Sequence, residues 1–346
     1  MMTQKQLFVM MGVDGSGFYS TVAAIMDQVS GAQGPTWKVP AACAGARLDA
    51  FVRHRLPHLS RRLINSALAA KFFLIDGRAG KKGERLCAGQ QVTFAGPPAW
   101  LLERPTPEFQ LDPAVVYEDA SILVLDKPAG VATHGFSALD IGTLANWLAA
   151  HRPELRDVGR SRWEPGLLHR LDIETSGLIL IAKTQAAFER LRAQLRRREI
   201  KKTYWALVWN VTDAAGVIDW PLAHDPSDKR KMALAQAAAG ARRARSWRAR
   251  THYRKIASAE GVSLLEVSLS TGVTHQIRVH LASRGFPIVG DRLYGAADRS
   301  SFGLSRHFLH AMRLEFRHPD DDRAMDLTAP LAAELREVLE RLRLTG

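Results

Sequence analysis

The tightest constraint on the fold is the stretch Leu168-His169-Arg170-Leu171-Asp172-Ile173-Glu174-Thr175-Ser176-Gly177, which runs directly into the apolar residues Leu178 to Ala182. An unbroken apolar run bounded by a Thr-Ser-Gly turn reads as a strand buried on both faces. Asp172 then stands at the mouth of that strand, two residues after a cation. An ionised carboxylate beside a cation can act as nucleophile or base. It can also simply cap a turn, for which Thr-Ser-Gly neighbours are well suited. Further along come Thr271-Gly272-Val273-Thr274-His275-Gln276-Ile277-Arg278-Val279-His280-Leu281 and Gly290-Asp291-Arg292-Leu293-Tyr294-Gly295.

The chain has 346 residues, long for one domain and suited to two. Residues 1–36 read as a leader. Its glycine-rich piece, Gly12 to Gly17, lacks the Gly-Lys-Ser/Thr ending that a phosphate loop requires. A nucleotide-hydrolysing enzyme built on that leader is therefore disfavoured. Residues 37–98 read as a small αβ module. A helical pattern begins at Arg47, and Ser60 is placed to cap a second helix, Arg61 to Ala70. A strand at Phe72 to Ile75, an Asp76-Gly77 turn and a strand at Gln91 to Phe94 follow. Proline-rich residues 99–110 read as a linker, and 111–346 as a second domain. Its expected strands are Ile122–Leu125, Gly177–Ala182, Thr203–Trp209, Leu264–Leu269 and Ile277–Leu281; its expected helices are Thr143–Ala150 and Ala186–Arg198. Neither βαβ alternation nor a short repeat appears, so the expectation is an α+β fold with a mixed, largely antiparallel sheet.

The formal net charge is +13. A field of that sign favours a polyanion, with nucleic acid ahead of an anionic membrane surface. The charge is concentrated: residues 190–202 hold seven Arg and Lys against one Glu, and residues 228–255 hold ten against one Asp. In the second tract Trp247, His252 and Tyr253 are interleaved with arginines including Arg242, Arg243 and Arg245, a mixture suited to phosphates and unstacked bases. A solubilising surface is the alternative use of such tracts. No run approaches the ~20 apolar residues that span a bilayer. Two cysteines, Cys43 and Cys87, make neither a disulfide framework nor a metal cluster. The spacing of His169, His275 and His280 matches no zinc pattern, so they are expected to be structural or RNA-contacting, with no bound metal. The chain reads as cytoplasmic.

The His-Arg-Leu-Asp…Thr-Ser-Gly and His-Gln-Ile-Arg motifs, in this order, resemble the RluA-type family of RNA pseudouridine synthases. The module at 37–98 resembles the S4 RNA-binding domain, with Arg61 and Arg62 among its expected RNA contacts. The resemblance implies an isomerase that needs no cofactor, with Asp172 as the catalytic residue and Arg278 as its matching cation. Arg170 would fill the gap left by an extruded base, although a plain contact to phosphate or to the Asp would also explain it. Tyr204, in Lys202-Thr203-Tyr204-Trp205-Ala206-Leu207, would pack on the target base, although a core Tyr on an alternating strand is a common role. Gly290 to Gly295 would be a turn shaping the cleft, with Asp291 a weaker choice for a second acid. Two positions depart from the pattern: Val273 stands where the family usually has Arg or Lys, and Ile173 where several ribosomal members carry a basic residue. An appended S4-like domain implies large-subunit (23S) ribosomal RNA or its assembly intermediates as partner, bound by a monomer. A transfer-RNA or dual substrate is the runner-up, and a non-catalytic RNA-binding or ribosome-assembly protein a further alternative.

Overall fold

The computed structural model describes residues 34–57, 59, 61–96, 101, 104–135, 140–210, 213–236, 245–295 and 300–344. Residues 1–33 of the expected leader, the expected cap Ser60, and Arg242 and Arg243 lie outside the described residues. The chain divides into two compact units between Arg104 and Pro105.

In the first unit, β1 (Thr36–Lys38) precedes α1 (Leu48–Arg55) and α2 (Arg61–Ala69); β2 (Phe73–Ile75), β3 (Arg78–Ala79) and β4 (Gln91–Phe94) follow. The strands form one antiparallel sheet in the order β1-β4-β2-β3. Asp76 and Gly77 both have positive φ, 49° and 80°, so the β2–β3 hairpin turns as the Asp-Gly pair demands. Helix residues Leu48, Phe51, Val52, Leu63, Ile64 and Leu68 pack on Phe73, Ile75, Val92 and Phe94 of the sheet.

The second unit is built on one large sheet. Its strands are β5 (Ala114–Glu118), β6 (Ile122–Lys127), β7 (Ser176–Ala182), β8 (Lys201–Trp209) and β9 (Ala215–Asp219), with β13 (Arg250–Ala259), β14 (Val262–Leu269), β15 (Leu309–Arg317) and β16 (Ala324–Thr328). They run in the order β5-β6-β7-β15-β8-β14-β13-β9, with β16 also on β15; only the β7–β15 pairing is parallel. A small antiparallel sheet joins β10 (Leu222–His224), β11 (Met232–Leu234) and β12 (Ser246–Trp247). The helices are α3 (Leu144–His151), α4 (Gln185–Arg197), α5 (Gln276–Ser283) and α6 (Ala333–Arg341). This is an α+β architecture, and β7 is buried at every residue, as its apolar run required. Among the described residues no helix is long and apolar enough to cross a membrane.

One expected strand is wrong. Residues Ile277–Leu281 belong to helix α5. All six residues from Gln276 to Leu281 are buried, polar and apolar alike. A helix enclosed on every side has no solvent face to impose a 3.6-residue pattern, so the alternation Ile277, Val279, Leu281 imitated a strand.

Candidate active site

Asp172 lies in the loop that enters β7, and nearly every polar group of that loop is held. Thr133 Oγ1 donates to Leu171 O at 2.9 Å and accepts from Leu171 N at 3.1 Å. Lys127, fully buried at the end of β6, donates to Pro128 O, Val131 O and Ile173 O at 2.8, 2.7 and 3.2 Å. Burial pushes the Lys127 ammonium down to about 7. Thr175 Oγ1 meets His307 Nε2 at 2.8 Å, and Arg306 donates to Glu174 O and Ser176 Oγ at 2.9 and 3.0 Å. Gly177 then admits β15: a Cβ on it would stand 2.3 Å from Ala311 O, and its φ is 113°. Only glycine allows the parallel strand to close on the loop at that point.

Helix α5 supplies the cation. Arg278 Nη1 donates to Asp172 Oδ2 at 3.0 Å, while Nε and Nη2 grip Asp291 Oδ2 and Oδ1 at 2.7 and 2.9 Å. The guanidinium also lies over the Tyr294 ring, 5.2 Å from its centroid. Its pKa stays well above the ordinary arginine value, because the two carboxylates outweigh the burial that acts against its charge. The carboxylates differ in access. The Asp291 side chain is 0% exposed and that of Asp172 is 17% exposed. Arginine holds Asp291 ionised and below the usual carboxylate range against the desolvation that would raise it, and the backbone amides of Leu293 and Tyr294 donate to its Oδ1. Asp291 is therefore an anchor for Arg278 and not the second acid considered from sequence.

His275, expected to be structural or RNA-contacting, stands within reach of the carboxylate. Its Nε2 is 3.9 Å from Asp172 Oδ2 and its Nδ1 is 2.9 Å from Tyr294 Oη. Its φ of 56° places a non-glycine residue in the left-handed region at the N-cap of α5. Such strain is held only where the surroundings over-determine it. Here Gln276 does so: Thr271 Oγ1 and Val273 N donate to its Oε1 at 2.8 and 3.1 Å, and its Nε2 donates to Arg250 O at 3.0 Å. Burial keeps His275 below the ordinary histidine value, so near neutrality it is uncharged. His169 and His280 are structural. His169 Nε2 accepts from Leu180 N at 3.1 Å, and His280 sits between Thr251 Oγ1 and Trp220 O at 2.8 and 2.9 Å.

Asp172, Arg278, His275, Tyr204 and Arg170 line one cavity of about 320 Å³. Arg170 is exposed; Tyr204 is buried on β8. Burial, and then the Asp172 charge, push the Tyr204 hydroxyl well above the ordinary tyrosine value, so it stays protonated. Of the expected RNA contacts, Arg61 and Arg62 are exposed at the start of α2, and Arg61 borders a second cavity together with Arg47, Arg53 and Lys82. Arg245 is exposed, with its guanidinium 5.3 Å from the Trp247 ring centroid. Val273, like Trp247 and Tyr294, packs against the apolar cluster of Leu222, Met232, Ala249 and Val279, and Ile173 is 55% exposed. Among the described residues no cluster of His, Cys, Asp and Glu is arranged to hold a metal ion.

The site is thus a buried strand that delivers one solvent-reachable carboxylate to a doubly anchored arginine, on a wide mixed sheet. The family description "RNA pseudouridylate synthase" matches residues 121–283. An uncharacterized RNA pseudouridine synthase of Chloroflexus aurantiacus is 41% identical over 304 residues, 88% of this chain and 92% of that protein. The ribosomal large subunit pseudouridine synthase D of Nitrosomonas europaea is 34% identical over 88% of this chain and 87% of its own length. In fold, the human RNA pseudouridylate synthase domain containing 1 matches 69% of this chain and 98% of its own with a TM-score of 0.52, at 23% identity. The chain belongs to the RNA pseudouridine synthase family.

Proposed function

We propose that this chain converts uridine to pseudouridine in large-subunit ribosomal RNA, with Asp172 as the group that acts at the sugar. The observation that carries the reading is the pair of carboxylates on Arg278, one sealed and one reachable from the cavity. In the reaction the N1–C1′ bond breaks, the uracil turns, and C5 joins C1′. A proton leaves C5 and one is taken up at N1, so no atom is gained or lost. One ionised carboxylate suffices, as nucleophile at C1′ or as base at the sugar. Arg278 fixes one oxygen of Asp172 and leaves the other for the substrate.

The target base must leave its stack before C1′ can be reached. Arg170, exposed at the cavity, is placed to lay its planar guanidinium in the gap. Tyr204 offers the uracil an aromatic face. Residues 37–98, with Thr36 of β1, act as an S4-like RNA anchor through Arg61 and Arg62. Residues 111–346 carry catalysis, joined to the anchor through 99–110. Arg242, Arg243 and Arg245 add phosphate contacts. The names of relatives such as the Nitrosomonas europaea protein favour ribosomal over transfer RNA. The enzyme acts in the cytoplasm as a monomer.

Asp172→Asn removes the charge and nearly keeps the shape. Turnover should vanish while RNA affinity changes little, since an anion does not attract phosphate. Conversion within about tenfold of the wild type would sink the assignment. Mapping pseudouridines in ribosomal and transfer RNA, with and without the gene, identifies the substrate.

A further inference from the structure

The chemistry above leaves one wall of the cavity unused. Arg192 of α4, Arg198 just past its end and Lys202 of β8 line the same space as Asp172. None of the three side chains has a carboxylate partner or hydrogen-bond acceptor among the described residues, and Arg192 Nε is buried without one. Two neighbours that do not line the cavity are matched: Arg197 holds Glu199 at 2.7 and 3.0 Å, and Arg190 donates to Pro319 O. Asp172 is the only carboxylate among the lining residues, and Arg278 already occupies it. The cavity thus holds net positive charge that the fold does not neutralise.

Arg198 adds an independent observation. Its φ is 61°, in the left-handed region where glycine is at ease and arginine is not. Its backbone N–H closes the helix on Gln194 O and Leu195 O, which a glycine would do equally well. Among the described residues the side chain has no bond that would offset the strain. Lys202 precedes Tyr204 by two residues on β8, so both leave the same face of the strand, about 7 Å apart along it. That is the span from a base to a neighbouring phosphate. A Cβ on Gly272 would lie 3.8 Å from Lys202 Nζ, so the two line the cavity side by side.

We propose that Lys202, Arg198 and Arg192 form a subsite for one backbone phosphate flanking the uridine held at Asp172. The cavity then grips a single nucleotide unit by both ends, its base on Tyr204 and its phosphate on three cations. Guanidinium forks and an ammonium are the groups that phosphate oxygens take in charge-assisted bonds. Burial holds the Lys202 ammonium below the ordinary lysine value, and a bound anion reverses that penalty. The inference rests on the reading of the cavity as the uridine site.

The test uses a ribosomal RNA hairpin that the wild-type enzyme converts, synthesised with a single uncharged methylphosphonate linkage at each position around the target uridine in turn. One linkage should weaken wild-type binding by about tenfold or more. Arg198→Gly should weaken binding of the unmodified hairpin, lose part of the sensitivity to that same linkage because two of the three cations remain, and melt no lower than the wild type, because glycine suits its backbone. Lys202→Met should behave likewise in binding. A scan flat at every linkage overturns the subsite even if a variant fails to fold, and so do losses from linkage and variant that simply add. A flat scan with turnover still dependent on Asp172 removes the subsite alone. Turnover that survives Asp172→Asn removes the proposed function whatever the scan gives.

Discussion

Arg278 and Arg198 line the same cavity and live in opposite surroundings. Arg278 comes from a helix buried on all sides and spends every side-chain nitrogen on two carboxylates. Arg198 is exposed, sits on a strained backbone and its side chain has no bond among the described residues. Lys127 and Lys202 repeat the contrast: the first fills three carbonyls, the second none among the described residues. The difference separates two uses of positive charge. A cation whose partners are already in the fold positions other groups, and removing it should cost stability. A cation left without partners in a cavity is held for a ligand, and removing it should cost binding.

The largest effect expected from this contrast is at Arg278. Arg278→Met would leave Asp291, at 0% side-chain exposure, ionised in the interior without its partner. Breaking a buried pair by one member costs about 3–5 kcal/mol. Denaturant unfolding should show a loss of that size. Turnover should fall by at least about a hundredfold, since Asp172 loses the donor that orients it. If Arg278→Met unfolded no more readily than Arg198→Gly, the division into two kinds of cation would collapse.

Lys127 gives a smaller effect with a pH signature. Its ammonium titrates at about 7 in the fold and at the ordinary lysine value of 10.5 when unfolded. Between those values the unfolded chain holds more protons, so this residue makes stability rise with pH in that window. Below about 7 both states are protonated and the burial penalty is complete. From pH 7 to 10 the recovered stability is on the order of 4 kcal/mol. Other groups titrate in the same range, so the measurement is the difference between the wild type and Lys127→Met. That difference should move in favour of the wild type as pH rises, and a flat difference would mean that Lys127 is not penalised by burial.

How much of this was legible in the sequence depended on where the partners lay. Asp172 could be placed at the mouth of a buried strand, because Leu178–Ala182 is apolar at every position and Thr-Ser-Gly marks the turn. Asp76-Gly77 could be read as a turn because Asp-Gly allows few other conformations, but the strand after it was expected at Gln91–Phe94 and the short β3 was not. The anchoring of the Asp172 loop could not be read, since Thr133, Arg306 and His307 are remote in sequence and each is fixed by tertiary packing. The alternation in Leu309–Phe316 is the one local signal that could have placed β15. Helix α5 was misread for the opposite reason: its burial on all sides erased the period that identifies a helix. His275 opened the His-Gln-Ile-Arg motif, but nothing local pointed it at Asp172, because its place in the site comes from a left-handed backbone that only the folded loop imposes.

The smallest expected effect tests the same division by adding a cation instead of removing one. Val273 is half-buried against the apolar cluster of Leu222, Met232, Ala249 and Val279, and the residues on either side of it are exposed. Val273→Lys would give up part of an apolar contact, but a lysine stem can lie along that surface while its ammonium reaches solvent. The backbone bond from Val273 N to Gln276 Oε1 does not depend on the side chain. Stability should therefore fall by only about 1 kcal/mol. The cluster that Val273 packs on is apolar and offers the new ammonium no anchor, so it belongs with Arg198 and not with Arg278. It should act on RNA: the log–log dependence of affinity on salt should steepen by about 0.7 to 0.9, the increment for one more neutralised phosphate. The measurement is a salt titration of hairpin binding by both proteins. An unchanged slope would show that an unpartnered cation beside the cavity does not by itself gain a phosphate, and that the three on the α4–β8 wall need their specific placement to do so.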